Sequence, residues 1–186
     1  MIGLAAFGIG EALLIQSHIG NAPWAVLAQG IANHTPMNIG VATIVIGAVV
    51  LLLWWPLGEK PGFGTISNIL ILGLFLEWGV LNIPASDDNF LLSLCMVLLG
   101  IGVIGFGSSL YITTGLGPGP RDGLMTALHH KTGVRVARVR LSVELCALTV
   151  GALLGGRVGL GTALFAILIG NSVAVAFTVV DRLANR

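Results

Sequence analysis

Apolar residues run in long blocks along this chain, broken by short polar or glycine- and proline-rich stretches. Six blocks have the length that predicts bilayer-spanning helices: 1–17, 38–57, 64–83, 91–114, 136–155 and 160–181. Two further blocks, 22–34 and 120–132, read as helices that fall short. A helix of that length rises about 20 Å, against a hydrocarbon core of about 30 Å. Each starts with a proline at its first turn, Pro23 and Pro120, which suits a helix start. Each also has a polar side: Gln29, Asn33 and His34 in the first, and Arg121, Asp122, His129, His130 and Lys131 in the second. Such segments lie in the membrane interface or enter it part-way as re-entrant half-helices.

The two short segments repeat one another. "IQSHIGNAPWAVL" at 15–27 and "ITTGLGPGPRDGL" at 112–124 share Ile, Gly, Pro and Leu in step, at an offset of 97 positions. At the same offset Gly8 and Gly10 match Gly105 and Gly107, "GFGT" at 62–65 matches "GLGT" at 159–162, and Gly73 matches Gly170. The pattern is an internal duplication: a single membrane domain over 1–186, with repeat halves 1–83 and 98–180. Three spans per half is an odd number, so the second half enters the membrane from the opposite face. The expected fold is all-α, a polytopic transmembrane helix bundle of six spans arranged as two inverted three-span repeats, each with a short non-spanning helix.

Charge supports that orientation. With six spans, Lys60, Arg121, Lys131, Arg135, Arg138, Arg140, Arg182 and Arg186 fall on the side of the N-terminus, and Arg157 alone on the other. The positive-inside rule then places both termini in the cytoplasm. Asp87 and Asp88 fall on the outer side. The fourth span begins near Asn89, and its counterpart in the first half would begin before Met1, which predicts a natural chain extending upstream.

Composition fixes the class. Only 9% of residues are charged and the mean hydropathy is +0.97, where soluble domains carry about 25% charged residues. This is the composition of an integral membrane protein whose first partner is the lipid bilayer. A net charge of +1 carries no signature of nucleic-acid binding, and none is expected. No processing site follows the first block. Cys95 and Cys146 lie in apolar runs and read as buried thiols. Neighbouring His129 and His130 point apart on a helix, so no metal site is expected. There is no nucleophile elbow, zinc-protease motif or phosphate loop, so neither an enzyme nor a cofactor protein is expected.

A few polar residues inside or beside the spans are candidates for chemistry, because ionisable groups in a bilayer are costly. Glu144 and Arg140 sit four residues apart on one helix face, either as a structural ion pair or as a coupling carboxylate with its partner. Glu11 has no in-helix partner of opposite charge, and its repeat equivalent is Ser108. It needs another span or water. Glu77, beside Trp78, reads as an interfacial carboxylate, and Trp54 and Trp55 as aromatic anchors. Asn68 and Asn171 read as interhelical hydrogen-bonding residues. The glycine-rich break before Pro120 frees backbone N–H groups at a helix start, where negative charge is favoured. Asp122 can fill that role as a cap, leaving Arg121 as a membrane-surface charge. Alternatively, Gly117, Gly119, Pro120, Arg121 and Asp122 receive a polar or anionic solute on a cavity open to the cytoplasm with Arg121 at its mouth, and Pro23 and Trp24 form the equivalent gate on the outer side.

"GLGPGPRDGLMTAL" at 115–128, with "GFGT" and "GLGT", resembles the YczE-like bacterial membrane proteins of the YczE/YyaS/YitT group. The residues that carry the resemblance are Gly115, Gly117, Gly119, Pro120, Arg121, Asp122 and Gly123, with Gly20, Ala22, Pro23 and Trp24 as the first-half version. The resemblance covers nearly the whole chain and implies a multi-pass protein of the bacterial inner membrane. The functional expectation is a small secondary transporter or permease for a small polar or anionic solute. The alternative is a non-transporting accessory or regulatory membrane protein acting through a protein partner. At 186 residues the chain is small for a carrier, and a homodimer would supply a fuller pathway.

Overall fold

The computed structural model describes residues 1–86 and 89–184, with side chains through 182. Asp87, Asp88 and Arg186 lie outside the described residues. All regular structure among the described residues is helical: α1 (Ile2–Gln16), α2 (Pro23–Ala32), α3 (Ile39–Leu52, extended by a 3-10 turn at Trp55–Leu57), α4 (Phe63–Asn82), α5 (Phe90–Ile112), α6 (Pro120–Thr132), α7 (Val136–Leu153) and α8 (Leu160–Ala184). Four are long and apolar enough to cross a membrane: α3 with its extension, α4, α5 and α8. α1 has 15 residues. α7 has 18 and carries Arg138, Arg140 and Glu144 in its first half.

Local chemistry sets the helix starts. Asn38 caps α3, its side-chain oxygen accepting from the Val41 N–H at 2.8 Å, and Asn89 caps α5 through the Leu92 N–H at 3.1 Å. α2 and α6 use the other device, a proline at the first helical position after an extended Ala22 or Gly119.

α1 and α5 cross at the centre on glycines. A Cβ on Gly3 would sit 2.6 Å from the Gly107 carbonyl oxygen, and one on Gly10 would sit 2.9 Å from that of Gly100. In lipid there is no hydrophobic drive between helices, so close backbone approach of this kind supplies the attraction. α4 packs on α1, and α8 on α5.

The breaks before α2 and α6 share one backbone path. His18 and Gly115, 97 positions apart, have φ of 61° and 63°, and Gly20 and Gly117 have φ of 128° and 118°. Each loop is held by the start of the long helix of the other half. The Gly64 N–H donates to the Leu116 carbonyl at 2.8 Å, and the Gly161 N–H donates to the Ile19 carbonyl at 2.8 Å. Thr65 and Thr162 accept from the N–H groups of Gly62 and Gly159 in the same register, and Thr65 also donates to the Pro118 carbonyl at 2.8 Å.

Three expectations need correction. Cys95 and Cys146 are exposed on outward helix faces, not buried. Asn171 is exposed on α8 rather than set between helices. In a membrane protein the lipid side is as apolar as the core, so the hydropathy of a residue's neighbours does not tell which face is inward. Trp54 is buried: its Nε1 donates to the Pro120 carbonyl at 3.0 Å and its ring lies against Gly123, where any side chain would collide with it. Trp55 is exposed, as an anchor should be.

Candidate functional site

The first turns of α2 and α6 line one cavity of about 140 Å³, enough for several waters or a small solute. Pro23 and Trp24 come from one, and Gly119, Pro120, Arg121 and Asp122 from the other. Each thereby brings a helix N-terminus, the positive end of the helix dipole, to the cavity wall. Gly117 lies outside the lining; its part is to shape the turn against Thr65 and Gly62.

Arg121 is the centre of the site. Its guanidinium lies 5.0 Å from the Trp24 ring centroid, a cation–π geometry, and its Nη1 donates to Glu11 Oε1 at 3.2 Å. Trp24 and Arg121 are equivalent positions of the duplicated sequence. The Arg121 side chain is 23% exposed and that of Glu11 is 1%. The reading of Arg121 as a surface charge with Asp122 as a cap is therefore replaced. Arg121 turns inward, and the Asp122 carboxylate accepts from the Tyr111 hydroxyl at 2.8 Å. The partner that Glu11 lacked within its own helix lies 110 residues away. Glu11 Oε2 is buried with no hydrogen-bond partner among the described residues.

Asn68, Arg140 and Glu144 also line the cavity. The Arg140–Glu144 pair closes at 3.0 Å but stays at the rim, with side chains 54% and 31% exposed. Glu77 stands apart from the site: it is half-buried, and its Oε2 accepts from the Gly40 N–H at 2.9 Å, at the first turn of α3. That bond anchors the start of α3. Asn171 is not among the lining residues.

Tyr111 and Ser108 were not singled out by sequence reasoning, yet both line the cavity. A signal existed for each. Tyr111 is the one tyrosine in the chain, and Ser108 is the repeat equivalent of Glu11. A second polar cluster forms where α2 meets the loop after α7. Gln29 Oε1 accepts from Asn21 Nδ2 at 2.9 Å and from the Arg157 N–H at 2.7 Å, and Asn33 donates to the Gly155 carbonyl at 3.0 Å. The polar side of α2 is thus bonded to protein.

Long apolar helices with exposed leucine, isoleucine, valine and phenylalanine around a small polar interior define a multi-pass membrane protein. The chain belongs to a family described as "Family of unknown function (DUF6198)", whose model matches residues 1–178. It is similar to an uncharacterized protein of Haemophilus influenzae, 41% identical over the whole of this chain and 84% of that one. It is 33% identical to the uncharacterized membrane protein YczE of Bacillus subtilis, over 90% of this chain and 79% of that one. The uncharacterized protein YyaS of the same organism is 24% identical over 97% of this chain and 92% of its own length. No solved structure matches the chain.

Proposed function

We propose that the protein is a small secondary transporter of the bacterial inner membrane, carrying a small anionic solute, with six spans in two inverted halves and both termini cytoplasmic. The observation that carries the reading is the cavity itself. An arginine and the N-terminal ends of two short helices converge on it from the two halves of the chain. Inverted pairs of broken helices around a central site are a recurring transporter design, since both faces of the membrane need equivalent access to that site. The recurrence of loop dihedrals and of the Gly64–Leu116 and Gly161–Ile19 bonds at one offset supports the inverted halves. α1, short as it is, and α7, with its charges facing the cavity, complete the six spans in this reading.

Uptake into proteoliposomes tests it. Labelled lactate, nitrate, sulfate and phosphate are offered to purified protein, with Arg121→Ala as the control. Saturable uptake of one of them, lost in Arg121→Ala, is the expected result. A second reading, an accessory protein acting through a partner chain or a second copy in the bilayer, draws on the outward face of α8. There Gly170 faces open space and Asn171 is exposed. Flux of none of the four anions, with a stoichiometric partner co-purifying, would favour that reading instead.

A further inference from the structure

We infer that Glu11 is a proton carrier coupled to anion binding at Arg121: a small monovalent oxyanion, such as a carboxylate or nitrate, takes the place of Glu11 on the guanidinium, and one proton enters with it. This rests on the proposed anion site and assigns its coupling ion.

Glu11 is 1% exposed and its Oε1 accepts from Arg121, so carboxylate and guanidinium together bring no net charge to the buried end of the cavity. An anion in the 140 Å³ cavity meets the positive ends of α2 and α6 and the remaining donors of Arg121. If it bound with Glu11 still ionised, two negative charges would share one arginine in low dielectric, which is strongly unfavourable. Protonating Glu11 removes the conflict. The Arg121 N–H bond to Oε1 breaks and is replaced by a bond to the anion. The proton comes from bulk water and settles on the carboxyl group. The net charge of Glu11, Arg121 and any bound anion taken together is zero before and zero after, and Asp122 keeps its own charge throughout.

The geometry already marks the place for that proton. Oε2 of Glu11 is buried and has no hydrogen-bond partner among the described residues, so one oxygen of the carboxylate is committed and the other is not. The neighbours that could compete are few. α6 presents Arg121 and Asp122, and Asp122 is engaged by Tyr111 of α5. α7 presents Arg140 and Glu144, paired with each other. The cavity residues of α2, α4 and α8 carry no titratable group. The repeat equivalent of Glu11 is Ser108, which also lines the cavity, so the carboxylate stands on one side of the site only.

Equilibrium binding tests this without requiring transport. Purified protein in detergent is titrated with sodium lactate and with sodium nitrate at several values between pH 6 and 8, and proton uptake is read with an indicator in weak buffer. The expected result is about one proton taken up per anion and a Kd that rises about tenfold per pH unit. In Glu11→Gln the uptake disappears and the Kd becomes flat with pH. Binding without proton uptake in the wild type overturns the coupling, even if flux is found. A pH slope that survives in Glu11→Gln also overturns it, and Asp122→Asn and Glu144→Gln then show which carboxylate is responsible. Failure of both anions to bind overturns the assignment of the anion class. If Glu11→Gln does not fold, Asp122→Asn and Glu144→Gln decide: proton uptake that survives in both supports Glu11, and uptake lost in either overturns it.

Discussion

The two halves differ most where α3 meets α4 and where α7 should meet α8. α3 packs along α4, whereas α7 packs on α2 and α6 and barely touches α8. The sequence difference accounts for it. In the first seam Gly40, Gly47 and Gly73 let the helices close: a Cβ on Gly73 would sit 2.9 Å from the Gly40 carbonyl oxygen, and one on Gly47 would sit 3.0 Å from Ile69. At the equivalent positions of the second half stand Ala137, Glu144 and Gly170, and Arg140 replaces Thr43. Gly170 has nothing within reach. Bulk and charge hold the second seam apart, and the cavity extends into the gap between Arg140 and Glu144 on one side and Phe165, Ile169 and Val173 on the other. One half has kept the packing glycines; the other has put charged side chains where the seam would close.

The largest expected effect separates the buried ion pair from everything at the rim. Arg121→Ala leaves Glu11 buried and unpaired, a loss of about 3 kcal/mol. It should lower the melting midpoint of the purified protein more than any other single change to a charged residue. Next comes the seam. Gly73→Leu forces side-chain atoms against Ile44 and the Gly40 backbone and should cost about 2 kcal/mol. Gly170→Leu, its equivalent, should cost under about 0.5 kcal/mol. Equal effects in a thermal-shift comparison would show that the two seams pack alike.

Smaller effects sharpen the contrast. Glu77→Gln weakens the charged bond to the Gly40 N–H and should cost about 1 kcal/mol. Glu144→Gln breaks an exposed pair on one helix and should cost about 0.3–0.5 kcal/mol. This reverses the order that the sequence suggests, which reads Glu144 as mid-span and Glu77 as near a span end. Circular-dichroism melts of the two variants check it.

Helix positions, the two short helices and the offset of 97 were readable from apolar runs, prolines and glycines, because these act locally. The Glu11–Arg121 pair was not, because a contact 110 residues apart depends on how the halves dock. One clue was present. The repeats diverge in charge at Glu11/Ser108 and at Trp24/Arg121, and all four residues line the same cavity. The shared left-handed backbone of His18 and Gly115 was hidden because one of the two is not glycine, although histidine takes that conformation more readily than most side chains. Cys95, Cys146 and Asn171 were misplaced because apolar neighbours surround a residue equally at the core and at the lipid face.

The central claim is that this cavity is reached from both sides of the membrane. Ser108→Cys, with Cys95 and Cys146 replaced by serine, puts a near-isosteric thiol in the cavity wall. A membrane-impermeant thiol reagent is then applied separately to each face of oriented membranes, with and without lactate. The account expects labelling from both faces, with lactate slowing it. Labelling from one face alone, unchanged by anion and by time, would mean a fixed pocket and would contradict transport through it.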